Sequence, residues 1–160
     1  MNKQQNIPVV AEQRLGEMGL ENFAPYLMNR IMGRYNASLQ KELVALGLTT
    51  PQMRSLAVLS VIDGILISEL SVYAVVQQST LSRALDVLEA NGLVYREVDD
   101  ADTRAIRIFL TSAGSTANDR LWPQMSQAQD AMFEGIDVDE IQAFVSTLKT
   151  MLRNIRKHNY

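Results

Sequence analysis

Ser79-Thr80-Leu81-Ser82-Arg83-Ala84-Leu85-Asp86-Val87-Leu88-Glu89-Ala90-Asn91-Gly92-Leu93-Val94-Tyr95-Arg96 is the segment on which the fold class turns. Leu81, Ala84, Leu85 and Leu88 recur at helical steps, with Ser79, Ser82, Arg83 and Asp86 on the opposite side. The helix is expected from about Gln77 to Asn91, where Asn91-Gly92 is a stop signal. The period then changes to two. Leu93 to Val98 and Ala105 to Leu110 read as strands, with Ile106, Ile108 and Leu110 on one face and Ala105, Arg107 and Phe109 on the other. The polar run Asp99-Asp100-Ala101-Asp102-Thr103 joins them as a hairpin with a longer loop.

Upstream, Asn22 to Leu46 reads as one long helix. Its stripe is Phe23, Leu27, Ile31, Tyr35, Leu39, Leu43 and Leu46. Thr50-Pro51 then gives an N-cap with proline in the first helical position, opening a helix from Gln52 to Val61. Met53, Leu56 and Leu59 or Ser60 should turn inward. Asp63-Gly64 marks a turn, Ile65-Leu66-Ile67 is of strand type, and Ser68 is expected to cap a short helix from Glu69 to Ala74. Residues 1–20, punctuated by Pro8, Gly16 and Gly19, read either as a disordered terminus or as an arm that orders on a partner subunit.

Downstream, Thr111 caps a helix through about Glu134, with a kink expected near Pro123. Asp137-Val138-Asp139-Glu140 has capping-box spacing and opens a last helix to about Arg156, striped by Ile141, Val145, Leu148, Leu152 and Ile155.

The fold class is therefore mainly α with a small β-hairpin (α+β): a helix-turn-helix followed by a wing. In such a unit the second helix of the pair enters the major groove. Gln78, Ser79, Thr80, Ser82 and Arg83 suit base edges and phosphates. An ordinary amphipathic surface helix would show the same spacing, so this helix alone leaves both readings open.

The same stretch, continued by Asp102-Thr103-Arg104 and then Leu110-Thr111-Ser112-Ala113-Gly114, resembles the MarR family, the multiple-antibiotic-resistance-type regulators. The helix order extends the resemblance over roughly residues 22–156. It implies a winged helix-turn-helix in a two-fold homodimer, with residues 22–48 and 111–160 supplying dimerisation helices and residues 50–110 the DNA-binding part, behind an arm at residues 1–21 of a single 160-residue subunit. It implies a recognition helix in the major groove and a wing arginine, Arg104, at the minor groove or backbone. Asp102 is expected to orient the wing by pairing with an arginine, and Arg54 joins the expected DNA contacts. A narrow minor groove has enhanced negative potential, which gives a loop-tip arginine a physical reason to enter it. The resemblance also implies a small aromatic or anionic effector near the dimer helices. Met28, Met32, Tyr35, Trp122 and Met125 are the candidates, with plain core and dimer interface as the alternative for the same residues.

The chain departs from the family pattern in places. Thr103 stands where many members have a second basic residue, Val75 where a small residue or glycine is usual, and Gln77 where many have Asp. Residues 51–110 hold five arginines against eight carboxylates, and the whole chain is net −3. Phosphate contact needs local positive charge, so an acidic head favours a second reading: a winged-helix dimer that serves as a protein-interaction module without DNA. Asp99, Asp100 and Asp102, if unpaired, would repel the backbone, and neutralising Asp99 and Asp100 together is expected to tighten binding at low salt.

Other classes fare poorly. There is no cysteine, hence no disulfide or cysteine–zinc site. The single histidine, His158, has no Ser/Asp partner set, and no glycine-rich phosphate loop is present. The acidic loop lacks the spacing of an EF-hand. No enzyme, metal or cofactor is therefore expected. No apolar run nears the ~18 residues of a membrane span, and Met1 to Leu20 lack a signal pattern, so a cytoplasmic protein is expected.

Overall fold

A computed structural model describes residues 14–157. Most of the expected arm, and His158, lie outside the described residues. α1 (Leu15–Met18) and a single 3-10 turn (Leu20–Asn22) lead into the long α2 (Ala24–Ala45). Four residues turn an α-helix through about 400°, so a row of four-residue steps drifts about 40° each time. The apolar row of α2 accordingly divides into two surfaces. Leu39 and Leu43 are buried and Tyr35 and Leu46 pack against the core, whereas Phe23, Leu27 and Ile31 are 37%, 40% and 46% exposed.

α3 (Thr50–Leu59) starts earlier than its sequence reading, and Thr49 is its cap rather than Thr50. The reason lies three residues on. Gln52 Oε1 accepts from Thr49 N at 2.8 Å while Gln52 N donates back to Thr49 Oγ1 at 3.5 Å. Thr50 would have Met53 at that position and could close no such box. β1 (Ile65–Leu66) runs straight into α4 (Ile67–Tyr73), so Ser68 lies inside the first turn and caps nothing. Leu66 precedes the helix instead, and its N–H donates to Glu69 Oε2 at 3.3 Å.

α5 (Gln78–Ala90), β2 (Val94–Val98), β3 (Ile106–Leu110), α6 (Ser112–Met132) and α7 (Val138–Lys157) complete the order, with Pro123 inside α6. The sheet is antiparallel in the order β1-β3-β2, with Ile65 opposite Ile108 and Val94 opposite Leu110. The hairpin thus gains a third strand from the segment before α4. The core joins α2, α3, α4, α5, α6 and the sheet through Leu43, Leu56, Leu70, Leu85, Ile108 and Leu121 among others. Each fully buried leucine contributes about 1.5–3 kcal/mol of apolar burial.

The Leu-Thr-x-x-Gly segment is the joint between reading helix and α6. Thr111 Oγ1 accepts from Gly114 N at 3.0 Å and donates to the carbonyl of Gly92 at 2.7 Å. A Cβ at position 114 would lie 2.0 Å from the Leu93 carbonyl oxygen, so only glycine fits there.

α7 stands away from the core. Val145, Leu152 and Ile155 of its stripe are 37%, 56% and 55% exposed, and Phe144 meets Phe133 edge-on with ring centroids 6.2 Å apart. Among the described residues, no helix is long and apolar enough to cross a membrane.

Candidate nucleic-acid interface

α5 is set by its apolar side. Leu81, Leu85 and Leu88 are fully buried, which turns Gln78, Ser79, Thr80 and Arg83 to solvent and leaves Ser82 half-buried. No side chain caps its N-terminus, so the first N–H groups stay open to an acceptor such as a phosphate oxygen. The preceding turn holds Val75 at a φ of +54°, the left-handed region that a β-branched residue rarely enters. Arg54, expected at DNA, is directed at this turn. It donates to the Val75 carbonyl at 3.3 Å and to Asn36 Oδ1 at 3.4 Å. Its charge also reaches Tyr35, whose hydroxyl pKa is raised by burial and lowered in part by Arg54.

Arg96 on β2 ties the wing to the recognition helix. It donates to Asp86 at 2.7 Å and to Glu89, and its backbone N–H donates to Glu89 at 3.1 Å. Burial works against the charge on Arg96, but the bonds and charges of Asp86 and Glu89 outweigh it and raise its pKa.

The wing loop is organised by Asp99. Its Oδ1 accepts from the N–H groups of Ala101 and Asp102, at 2.8 and 2.9 Å, and its Oδ2 from Arg107. These bonds hold its carboxyl below the usual carboxylate range. Asp102 does not pair with an arginine side chain as expected; its Oδ1 accepts from the backbone N–H of Arg104 at 3.0 Å. An aspartate two residues before a backbone N–H closes a local turn more readily than it reaches a distant guanidinium. Arg104 itself is exposed at the loop end, and neither it nor Arg83 makes an ion pair among the described residues.

Three of the head's eight carboxylates are in ion pairs within the head. Asp86, Glu89 and Asp99 are paired with Arg96 and Arg107, and Asp63 accepts from the Leu110 N–H at 2.8 Å. Of the head's arginines, Arg83 on α5 and Arg104 on the wing are exposed and make no ion pair among the described residues. The sequence alone does not mark Glu89, Asp99 and Arg107 as site residues. Their pairings join positions seven to ten apart across a turn, a spacing that depends on loop geometry.

The five effector candidates do not line one cavity within a subunit. Tyr35 and Met125 pack against the core, Met28 is half-buried, and Met32 and Trp122 are 45% and 58% exposed. Two surface hollows, about 360 Å³ over α2 and 320 Å³ over α7, are each walled by one helix and include none of the five.

The fold and this geometry have relatives. The model of the MarR family matches residues 46–105. A transcriptional regulator of the MarR family from Silicibacter pomeroyi, solved by crystallography, is 59% identical. It superposes with a TM-score of 0.87 over 92% of this chain and 100% of that one. The HTH-type transcriptional repressor IacR of Pseudomonas putida is 24% identical over 139 residues, 87% of this chain and 83% of that one. CouR from Rhodococcus jostii RHA1, solved bound to p-coumaroyl-CoA, shares the fold at 23% identity. Its TM-score is 0.71, over 83% of this chain and 94% of that one. With a 59% identical regulator aligned over its whole length, this chain belongs to the MarR family of transcriptional regulators.

Proposed function

We propose that the chain is a homodimeric repressor that binds double-stranded DNA and releases it in response to a small aromatic or anionic effector. The observation that carries the reading is the polar face of α5, with Arg83 and the wing's Arg104 exposed and unpaired while Asp86, Glu89 and Asp99 are taken up by Arg96 and Arg107. Gln78, Ser79, Thr80, Ser82 and Arg83 read the major groove, and Arg104 lies in the minor groove or on the backbone. Arg54 acts from behind, on the turn before α5, and Asp102 shapes the loop that carries Arg104. The acidic head was the ground for an interaction module without DNA, and the internal pairing of its carboxylates weakens that ground.

The second subunit covers the exposed rows of α2 and α7. Phe23, Leu27 and Ile31 on one, and Leu152 and Ile155 on the other, form an apolar surface that a single subunit leaves wet. The effector site lies where Met28, Met32, Tyr35, Trp122 and Met125 meet that second surface. The ligand of CouR supports an aromatic acid or its thioester as the chemical class. The repressor sense rests on the likeness to IacR, and the site of action is the cytoplasm, where the DNA is. A gel shift on DNA from upstream of its own gene tests the reading. Retarded duplex with a two-subunit stoichiometry supports it; no retardation beyond that of random DNA would count against it.

A further inference from the structure

The wing carries a strap that no DNA contact explains. Arg107 sits on the middle strand, opposite Leu66 of β1 on one side and Glu97 of β2 on the other. Its guanidinium reaches both edges of the sheet. Nε donates to Asp99 at the root of the wing loop, and Nη1 donates to the Gly64 carbonyl, 2.7 Å away, in the turn before β1. Asp99 is 8% exposed and in turn fixes the N–H groups of Ala101 and Asp102, while its own N–H donates to the Ala105 carbonyl at 2.9 Å. The Ala105 N–H closes the loop on the Asp102 carbonyl at 2.8 Å. Arg104 lies inside this ring of bonds. At the other end of the strap, Gly64 has a φ of +69°, and a Cβ there would meet the Phe109 ring at 2.7 Å, so that turn is closed down on the sheet.

We propose that Arg107 is a positioning residue for DNA recognition: it holds the wing loop to the β1 turn and so presents Arg104, without touching nucleic acid itself. The inference rests on the reading that Arg104 is a wing contact. Two physical arguments support it. Its planar fork can serve two acceptors in different directions, which an ammonium on a flexible stem does poorly. A contact residue held in place in advance also loses less freedom on binding, so loosening the loop should weaken binding even with every contact residue present.

A double-mutant cycle tests this with Arg104→Ala, Arg107→Gln and their combination. The probe is one duplex recovered by selection from a random-sequence pool. Sedimentation and circular dichroism confirm that each variant is a folded dimer. Arg107→Gln should weaken binding on the order of ten-fold, and should add almost nothing once Arg104 is alanine. Arg107→Lys should behave like Arg107→Gln. If Arg107→Gln costs as much in the Arg104→Ala background, Arg107 acts independently of the wing arginine and the proposal fails. Full affinity in Arg107→Lys would show that charge alone is needed, and would also overturn it. If Arg104→Ala is itself silent, the wing reading fails first. If Arg104→Ala weakens binding and Arg107→Gln does not, only the strap is wrong.

Discussion

Arg96 on β2 holds Asp86 on the recognition helix, its Nη2 2.7 Å from Asp86 Oδ1, and reaches Glu89 one turn further along. One arginine thus fixes the angle between the helix that would read bases and the hairpin that would touch the backbone. Its two partners are unequal. Asp86 is 67% exposed and makes one bond, whereas Glu89 is 39% exposed and also accepts the backbone N–H of Arg96. Glu89→Ala should therefore destabilise the fold more than Asp86→Ala, by about 1–2 kcal/mol against a few tenths. Urea midpoints of the two variants check the order, and equal shifts would contradict it.

Val75 is the strained residue of the helix-turn-helix. The left-handed region costs a β-branched residue about 1–2 kcal/mol, while glycine adds an entropic cost of about 0.5–1 kcal/mol. Val75→Gly should stabilise the protein by roughly 0.5–1 kcal/mol. The side chain is 77% exposed, so little packing is lost. A higher thermal midpoint is expected, and a clearly lower one would mean that the valine makes a contact this account lacks.

Asp99 and Asp100 are neighbours with different tasks. Asp99 is buried on the strap, so neutralising it should loosen the wing rather than tighten DNA binding, opposite to the sequence-based expectation for the pair. Asp100 is exposed, and Asp100→Asn alone should tighten binding at low salt, with the gain fading as salt screens it. The carboxyl of Asp99 is held low by the N–H groups of Asp102 and Ala101 and by Arg107. A depressed carboxylate stabilises the folded state above its unfolded pKa and loses that contribution as the pH falls through its folded value. The stability gap between wild type and Asp99→Asn should hold through neutral pH and close below the ordinary value of 3.8. A gap that closes near neutral pH would point to another group.

Much of the fold was legible because periodicity and caps are local. Leu81, Ala84, Leu85 and Leu88 gave the buried side of α5, and the change to period two after Gly92 gave the wing. The caps lie one residue before Thr50 and two before Ser68, decided by which side chain three residues on reaches back. The α2 row looked continuous because four-residue steps resemble a stripe, and only the accumulated drift parts Ile31 from Leu39. The exposed reading residues and Arg104 were legible through the family pattern. That wing acids pair with Arg96 or Arg107 is readable as one option, but which acid each takes, and the turn that Arg54 holds, are not, because each depends on how a turn brings distant positions together. Those pairings are also what the charge count of the head could not show.

The sharpest test of the wing contact is the salt dependence of DNA affinity for wild type and Arg104→Ala. Each phosphate contact adds a slope of about −0.9 to log affinity against log salt. Arg83 and Arg104 of each subunit and the open N-terminus of α5 give a shallow slope, on the order of four to six contacts for the dimer. Arg104→Ala should weaken binding strongly and remove about two of them, one for each wing. If Arg104→Ala leaves both affinity and slope unchanged, the wing is not a DNA contact and the account of this site is wrong.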